Sequence, residues 1–238
     1  MLIRRSFSSF VLLTFCAAAE DPEAVLLTHR MTDQELRLFR TAKVAELQQL
    51  AARTKPEKTA EGTRHKIFYC TLYYTPKESG FTAERGFDAE PATARGLAGR
   101  TYPRAFLKAV KKEGFGRMKA TVNDCNYMQY LGGERYGFAK APLGSRGNVL
   151  VPRKSCAISM KATHLRARMQ LVIESPTVEQ VTGSREWEVA DVGGGVHPLQ
   201  IDLYWGEDEP MGAVGRQTAR PAGTKMEYAF DLSVLVKN

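Results

Sequence analysis

Cysteine and histidine are the scarcest chemistry-bearing side chains in this 238-residue sequence, at four each. No two cysteines stand in Cys-x-x-Cys spacing. His29, His65, His164 and His197 are scattered, so neither a zinc site nor a dithiol redox centre is indicated. We expect no cofactor and no metal. There is no Gly-x-Ser-x-Gly elbow, and the histidines form no visible Ser/His/Asp constellation. The glycine run 193–195 is followed by no Lys-Ser or Lys-Thr, and no helix is expected after it, which makes it a poor phosphate-binding loop. No repeat of fixed period is visible. After residue 19 no run is long and apolar enough to cross a bilayer, so no membrane span is expected.

The N-terminus has a different composition. Arg4 and Arg5 precede an apolar run over 7–15, and Ala17-Ala18-Ala19 offers a small-residue cleavage site. This predicts a signal peptide over 1–19 and an exported protein of the periplasm or cell envelope. A lipid anchor at Cys16 is the rival reading, disfavoured by the bulky Phe15 before it. Cleavage takes away Arg4 and Arg5 and no acid, which brings the formal charge from +8 to +6. An excess of this size suits anionic polymers in general, or simply a solvated basic surface. An exported chain with no nucleic-acid module is not expected to bind nucleic acid; an acidic glycan fits better. Cleavage also leaves Cys70, Cys125 and Cys156, of which Cys125 and Cys156 are the expected disulfide pair.

Thr32-Asp33-Gln34-Glu35 has capping-box spacing, and apolar residues then recur from Leu36 to Ala51 at near-helical period. They predict an amphipathic helix over 33–53, a docking arm or an element packed on its own domain. The polar stretch 54–64 reads as a linker, which gives a helical arm and linker over 20–65 and a folded domain over 66–238. Ile67 to Tyr74 is rich in strand formers and is ended by Thr75-Pro76. The segment 77–100, broken by Gly80, Gly86 and Pro91, reads as a surface excursion. One helix is expected over 102–113, stopped by Gly114 and Gly116. Strand patterns follow at 117–123, 126–131, 148–151, 155–160, 168–174, 186–190, 200–205 and 226–236. The fold class is therefore mainly β, a barrel, with one helix inside the domain.

The chemistry concentrates in 186–206. Trp187 and Val189 alternate with Glu188 and Ala190, and the strand delivers Asp191 at its end. Gly193-Gly194-Gly195 can turn sharply or let another group come close. A second alternating run, Ile201 to Trp205, carries Asp202 eleven residues after Asp191 and places Tyr204 on the Asp202 face. Two carboxylates joined by a glycine-rich turn can face each other across one cleft. Alternatively, Asp191 caps the turn through backbone amides and Asp202 sits in a satisfied buried network. Tyr73, Tyr74 and Phe81 are either a sugar-stacking platform or core.

Asp191-Val192-Gly193-Gly194-Gly195-Val196 followed by Gln200-Ile201-Asp202-Leu203-Tyr204-Trp205-Gly206 resembles the three-aspartate (3D) domain family and the C-terminal part of the membrane-bound lytic transglycosylase A family. Thr71-Leu72-Tyr73-Tyr74-Thr75-Pro76 is similar to their opening strand, and 155–173 to their central pair. The resemblance spans 66–206. It implies a six-stranded double-psi β-barrel-like domain and cleavage of peptidoglycan glycan strands. On this resemblance Asp202 is the catalytic acid/base, Asp191 the supporting carboxylate, and Tyr204, Gly193, Gly194 and Tyr74 substrate-binding residues. The family's first aspartate falls near Ser159-Met160-Lys161, where serine stands. A two-carboxylate hydrolase, a non-catalytic glycan-binding barrel and, more distantly, a periplasmic scaffold or interaction protein that docks through helix 33–53 are the alternative functions. Oligomeric state is not legible.

Overall fold

The structure is a computed structural model that describes residues 33–212, 220–223 and 228–238. The signal-peptide segment 1–19 and the cap residue Thr32 lie outside the described residues. The first element, α1 (Asp33–Arg53), buries Leu47 and rests Val44, Leu50 and Ala51 on the main core. Leu38 is 66 % exposed, so the seated stripe is shorter than the sequence periodicity. Edge-on contact of Phe39 with Phe230, centroids 5.5 Å apart, adds to the seat.

The polar stretch after α1 is a hairpin. Strand β1 (Glu57–Lys58) folds back antiparallel on β2 (Gly62–Pro76), which starts four residues ahead of the expected Lys66. Gly62 permits this, because a Cβ there would meet the Val236 carbonyl oxygen at 1.9 Å. The excursion that follows has its own core. Strands β3 (Pro91–Ala92) and β4 (Tyr102–Pro103) lead into α2 (Arg104–Glu113), which packs on the antiparallel sheet β5 (Phe115–Val122), β6 (Cys125–Tyr130) and β7 (Tyr136–Ala139). Phe81, Leu97, Phe106, Val110 and Met128 fill this second core. Phe81 therefore belongs to packing. The expected strand at 148–151 is reduced to one bridge, Leu143 to Val149.

The remaining elements are β8 (Ser155–Ser159), β9 (Gln170–Glu174), α3 (Pro176–Thr182), β10 (Glu186–Gly193), β11 (Gln200–Asp208) and β12 (Tyr228–Lys237). Helix α3 corrects the expectation of a single internal helix. Its signals were present: Ser175 accepts from the Val178 amide, proline opens the first turn, and Gly183 closes it in the left-handed region.

Six strands close into a ring in the order β2, β11, β8, β10, β9, β12, and β12 pairs back onto β2. The β2/β11 and β8/β10 pairs are parallel and the other pairs antiparallel. Phe68, Ile158, Ile173, Trp187, Val189, Ile201 and Val234 fill the main core. Arg64 on β2 grips Glu174 on β9 through two hydrogen bonds of 2.8 and 2.9 Å, and Ser233 on β12 donates to the same carboxylate at 2.6 Å, tying the three strands where the ring closes. Cys70, Cys125 and Cys156 are all free thiols. The expected Cys125–Cys156 bridge is thereby corrected: Cys156 lies in the main core and Cys125 on β6 of the other sheet.

Candidate active site

The register of the ring lines up four residues in one row. Asp202 on β11 has Thr71 on β2 as its partner on one side and Ala157 on β8 on the other, and Ala157 is in turn the partner of Asp191 on β10. The two aspartates therefore flank one alanine, with Cα atoms two strand spacings, about 10 Å, apart. A methyl side chain between them leaves room for a ligand.

A β-bulge makes this possible. Val189 pairs with Cys156 and Asp191 with Ala157, which leaves Ala190 as an extra residue. Simple alternation would aim Asp191 to the core face beside Val189; the extra residue turns it onto the Asp202 face. The bulge is held from outside: Asp191 Oδ1 accepts from the amides of Ser145 and Val192, both at 2.8 Å. Asp191 thus caps backbone amides, but those of the 144–147 turn and of its own neighbour, where the alternative read from the sequence had it cap the glycine turn. Gly144 approaches so closely that a Cβ there would lie 2.1 Å from the Ala190 carbonyl oxygen.

Both aspartates line a cleft of about 420 Å³. Its walls include Tyr73, the glycine run 193–195, Arg40 of α1, and Lys112 and Glu113 at the end of α2. None of the three glycines has a positive φ. Gly194 and Gly195 have open space where a Cβ would stand, apart from the tip of Met160 at 3.9 Å from Gly194. Gly193 differs, since a Cβ there would meet Val196 Cγ2 at 2.5 Å; Gly194 and Gly195 keep the cleft wall bare.

A directed chain of hydrogen bonds ends on Asp202. The Tyr69 hydroxyl (3.2 Å) and the His197 amide (3.0 Å) donate to Gln200 Oε1. Gln200 Nε2 then donates to Thr71 Oγ1 at 2.6 Å, which leaves the Thr71 hydroxyl to donate to Asp202 Oδ1 at 2.5 Å. Burial pushes Asp202 up to about 7, opposed by the Thr71 hydrogen bond and by Lys112 and Arg40, and helped by Glu113. A half-buried carboxyl in this state holds and releases a proton near neutral pH.

The other residues expected in the site are placed differently. Tyr204 shares the Asp202 face but is buried beneath the cleft, packed 5.2 Å from Tyr73, with its hydroxyl and that of Thr75 2.7 Å apart. Tyr74 is buried and does not line the cleft. Its neighbour Tyr73 does, and the Tyr73 hydroxyl is buried with no hydrogen-bond partner among the described residues. Ser159 ends β8 beside Gly193 and accepts from the Lys161 amide at 3.1 Å. Trp205 is buried under the Arg153 guanidinium, 4.5 Å from the ring centroid, and donates to Asp208 at 3.0 Å. It stands outside the main core because the register shifts between Tyr204 and Glu207. Lys108, Lys111 and Lys112 read from the sequence as either contacts for an anionic ligand or a solvated helix face, and Lys112 is the one that reaches the cleft. Glu113 and Arg40 were missed, because each comes from a helix whose charged residues look like an ordinary solvated face. Among the described residues no group of three His, Cys, Asp or Glu is arranged to hold a metal, and no helix is long and apolar enough to cross a membrane.

No protein-family model matches the sequence, and no curated protein matches it. Solved structures similar to the chain include E. coli MltA with bound chitohexaose (15 % identity, 91 % of this chain and 88 % of that one, TM-score 0.47). They also include a membrane-bound lytic murein transglycosylase from Agrobacterium tumefaciens (12 %, 82 % and 84 %, TM-score 0.45). A third is the lytic transglycosylase LtgG of Burkholderia pseudomallei (16 %, 91 % and 89 %, TM-score 0.37). Likeness of this degree assigns no function to this chain.

Proposed function

We propose that the protein cleaves peptidoglycan glycan strands as a lytic transglycosylase-like enzyme, with Asp202 as its acid/base. The observation that carries this reading is a cleft-lining aspartate held near its neutral-pH midpoint, one alanine away from a second, backbone-anchored aspartate. The sequence resemblance over 191–206 supports it.

Protonated Asp202 gives its proton to the oxygen leaving C1 of an N-acetylmuramoyl unit, and the C1–O bond breaks. The C6 hydroxyl of the same sugar closes on C1, and its proton passes to the Asp202 carboxylate, which restores the acid. No activated water is needed. Asp191, fixed by two amides, supplies negative charge opposite the positive charge that develops at C1. The bare wall at Gly194 and Gly195 admits the sugar chain, and Tyr73 takes the place in the cleft that the sequence suggested for Tyr74 and Tyr204. In this reading the ring of six strands is a double-psi barrel, the segment 1–19 directs export, and the protein works in the periplasm or cell envelope on peptidoglycan.

One observation favours a second reading. The position where the resemblance expects a first aspartate holds Ser159, buried and engaged with the Lys161 amide. A glycan-binding barrel without catalysis would keep the cleft and lose that carboxylate. Purified sacculi distinguish the two: soluble fragments released by the wild type and not by Asp202→Ala support the enzyme. Sedimentation with sacculi and no release by either supports the binder.

A further inference from the structure

The inserted helix α2 places its last two residues, Lys112 and Glu113, in the wall of the cleft that holds Asp202. Their side chains pair at 3.2 Å, yet they are unequally placed: the Glu113 side chain is 8 % exposed and that of Lys112 58 %. A carboxylate is a poor choice for this position. It sits at the helix C-terminus, where unpaired carbonyls already concentrate negative charge, and it is desolvated. Helix stability would favour the cation alone. Glu113 is nevertheless held there, paired with Lys112. Burial pushes Glu113 above the ordinary carboxyl range, with Lys112 opposing.

We propose that Glu113 and Lys112 are a positioning pair for Asp202, an anion and a cation whose balance at the cleft wall sets how readily Asp202 keeps its proton. The chemical role of that proton rests on the function proposed above; the electrostatic coupling does not. Removing Glu113 takes away a charge that favours protonated Asp202, and removing Lys112 takes away one that favours the ionised form. Asp191 faces Asp202 across Ala157, Tyr73 and Arg40 face it from β2 and α1, and Arg220 completes the charged wall. Beneath it the Cys70 and Cys156 thiols are buried and neutral, both pushed up by desolvation. These groups are common to all variants below and drop out of the comparison.

The test is the titration of the Asp202 carboxyl by carbon-detected NMR in the full protein, assigned by its loss in Asp202→Asn. Glu113→Gln should move the midpoint down, and Lys112→Met should move it up, each by roughly half a pH unit or more. Opposite shifts are what a merely structural role would not give. Midpoints unchanged in both variants, or moved in the same direction, overturn the proposal. A midpoint that does not rise in Lys112→Met overturns the proposal by itself, and Lys112 is exposed enough that this arm survives where Glu113→Gln fails to fold. On sacculi, the alkaline limb of the pH–rate profile should follow the NMR midpoint. Opposite NMR shifts without glycan release by any form would sink the enzyme reading and leave the coupling standing. Release without the NMR shifts would do the reverse.

Discussion

The burial that pushes Asp202 up to about 7 also makes ionised Asp202 a destabilising group. Its folded-state midpoint lies above the ordinary 3.8, so the folded state binds the proton more tightly than the unfolded chain does. The stability this contributes is complete below about pH 4 and is lost as pH rises through 7. Asp202→Asn keeps an acceptor for the Thr71 hydroxyl and cannot ionise. It should therefore exceed the wild type in thermal stability at pH 8, by on the order of 2 kcal/mol after discounting for the cleft-facing edge, and match it near pH 4. Thermal melts of both proteins at the two pH values check this; an unchanged gap across the range would remove burial as the cause of the shift. The same substitution should abolish activity, which makes Asp202 a site where function opposes stability.

At the scale of elements, the bulge on β10 and the bare glycine wall separate folding from ligand binding. Gly144→Ala would push a methyl group against the Ala190 carbonyl and disturb the turn that anchors Asp191, with an expected loss of about 1–3 kcal/mol. Gly194→Ala puts a methyl group where only the tip of Met160 comes within 3.9 Å, and should leave stability within about 0.5 kcal/mol while weakening retention on sacculi. Denaturant unfolding and sacculus sedimentation on both variants test the division; a destabilised Gly194→Ala would mean that the run is structural after all. The bulge also marks where the sequence stopped being legible. Alternation located β10 and β11, and the spacing from Asp191 to Asp202 suggested a shared cleft, but period-two logic aims Asp191 inward. An inserted residue reverses that, and nothing local to Ala190 announces it. Tyr204 fails for another reason: its face was read correctly, but the packing of Tyr73 and Leu150 that covers it depends on contacts distant in sequence. Helix α3 was legible through Ser175, Pro176 and Gly183, but at seven residues, about two turns, it is too short to show a hydrophobic period.

Across the whole molecule, the cleft is assembled from pieces the sequence kept apart. The ring supplies Asp202 and Asp191, the insertion after β2 supplies Lys112 and Glu113, and the N-terminal helix supplies Arg40. Gln48 of the same helix lies 3.3 Å from His197, next to the Gln200 relay, so α1 is part of the site's wall as well as a neighbour of the core. The mainly β character could be read from runs of strand-forming residues: β9 and the start of β10 alternate buried with exposed positions, whereas β2, β8 and β11 are buried at nearly every position. The second core could not be read, since Phe81 and Leu97 lie in irregular chain with no period to betray their burial. What this assembly does is decided by the products it makes. Mass spectrometry of the fragments released from purified sacculi should find 1,6-anhydro-muramoyl ends from the wild type and no fragments from Asp202→Ala. Reducing ends, or intact sacculi carrying bound protein, would contradict the account.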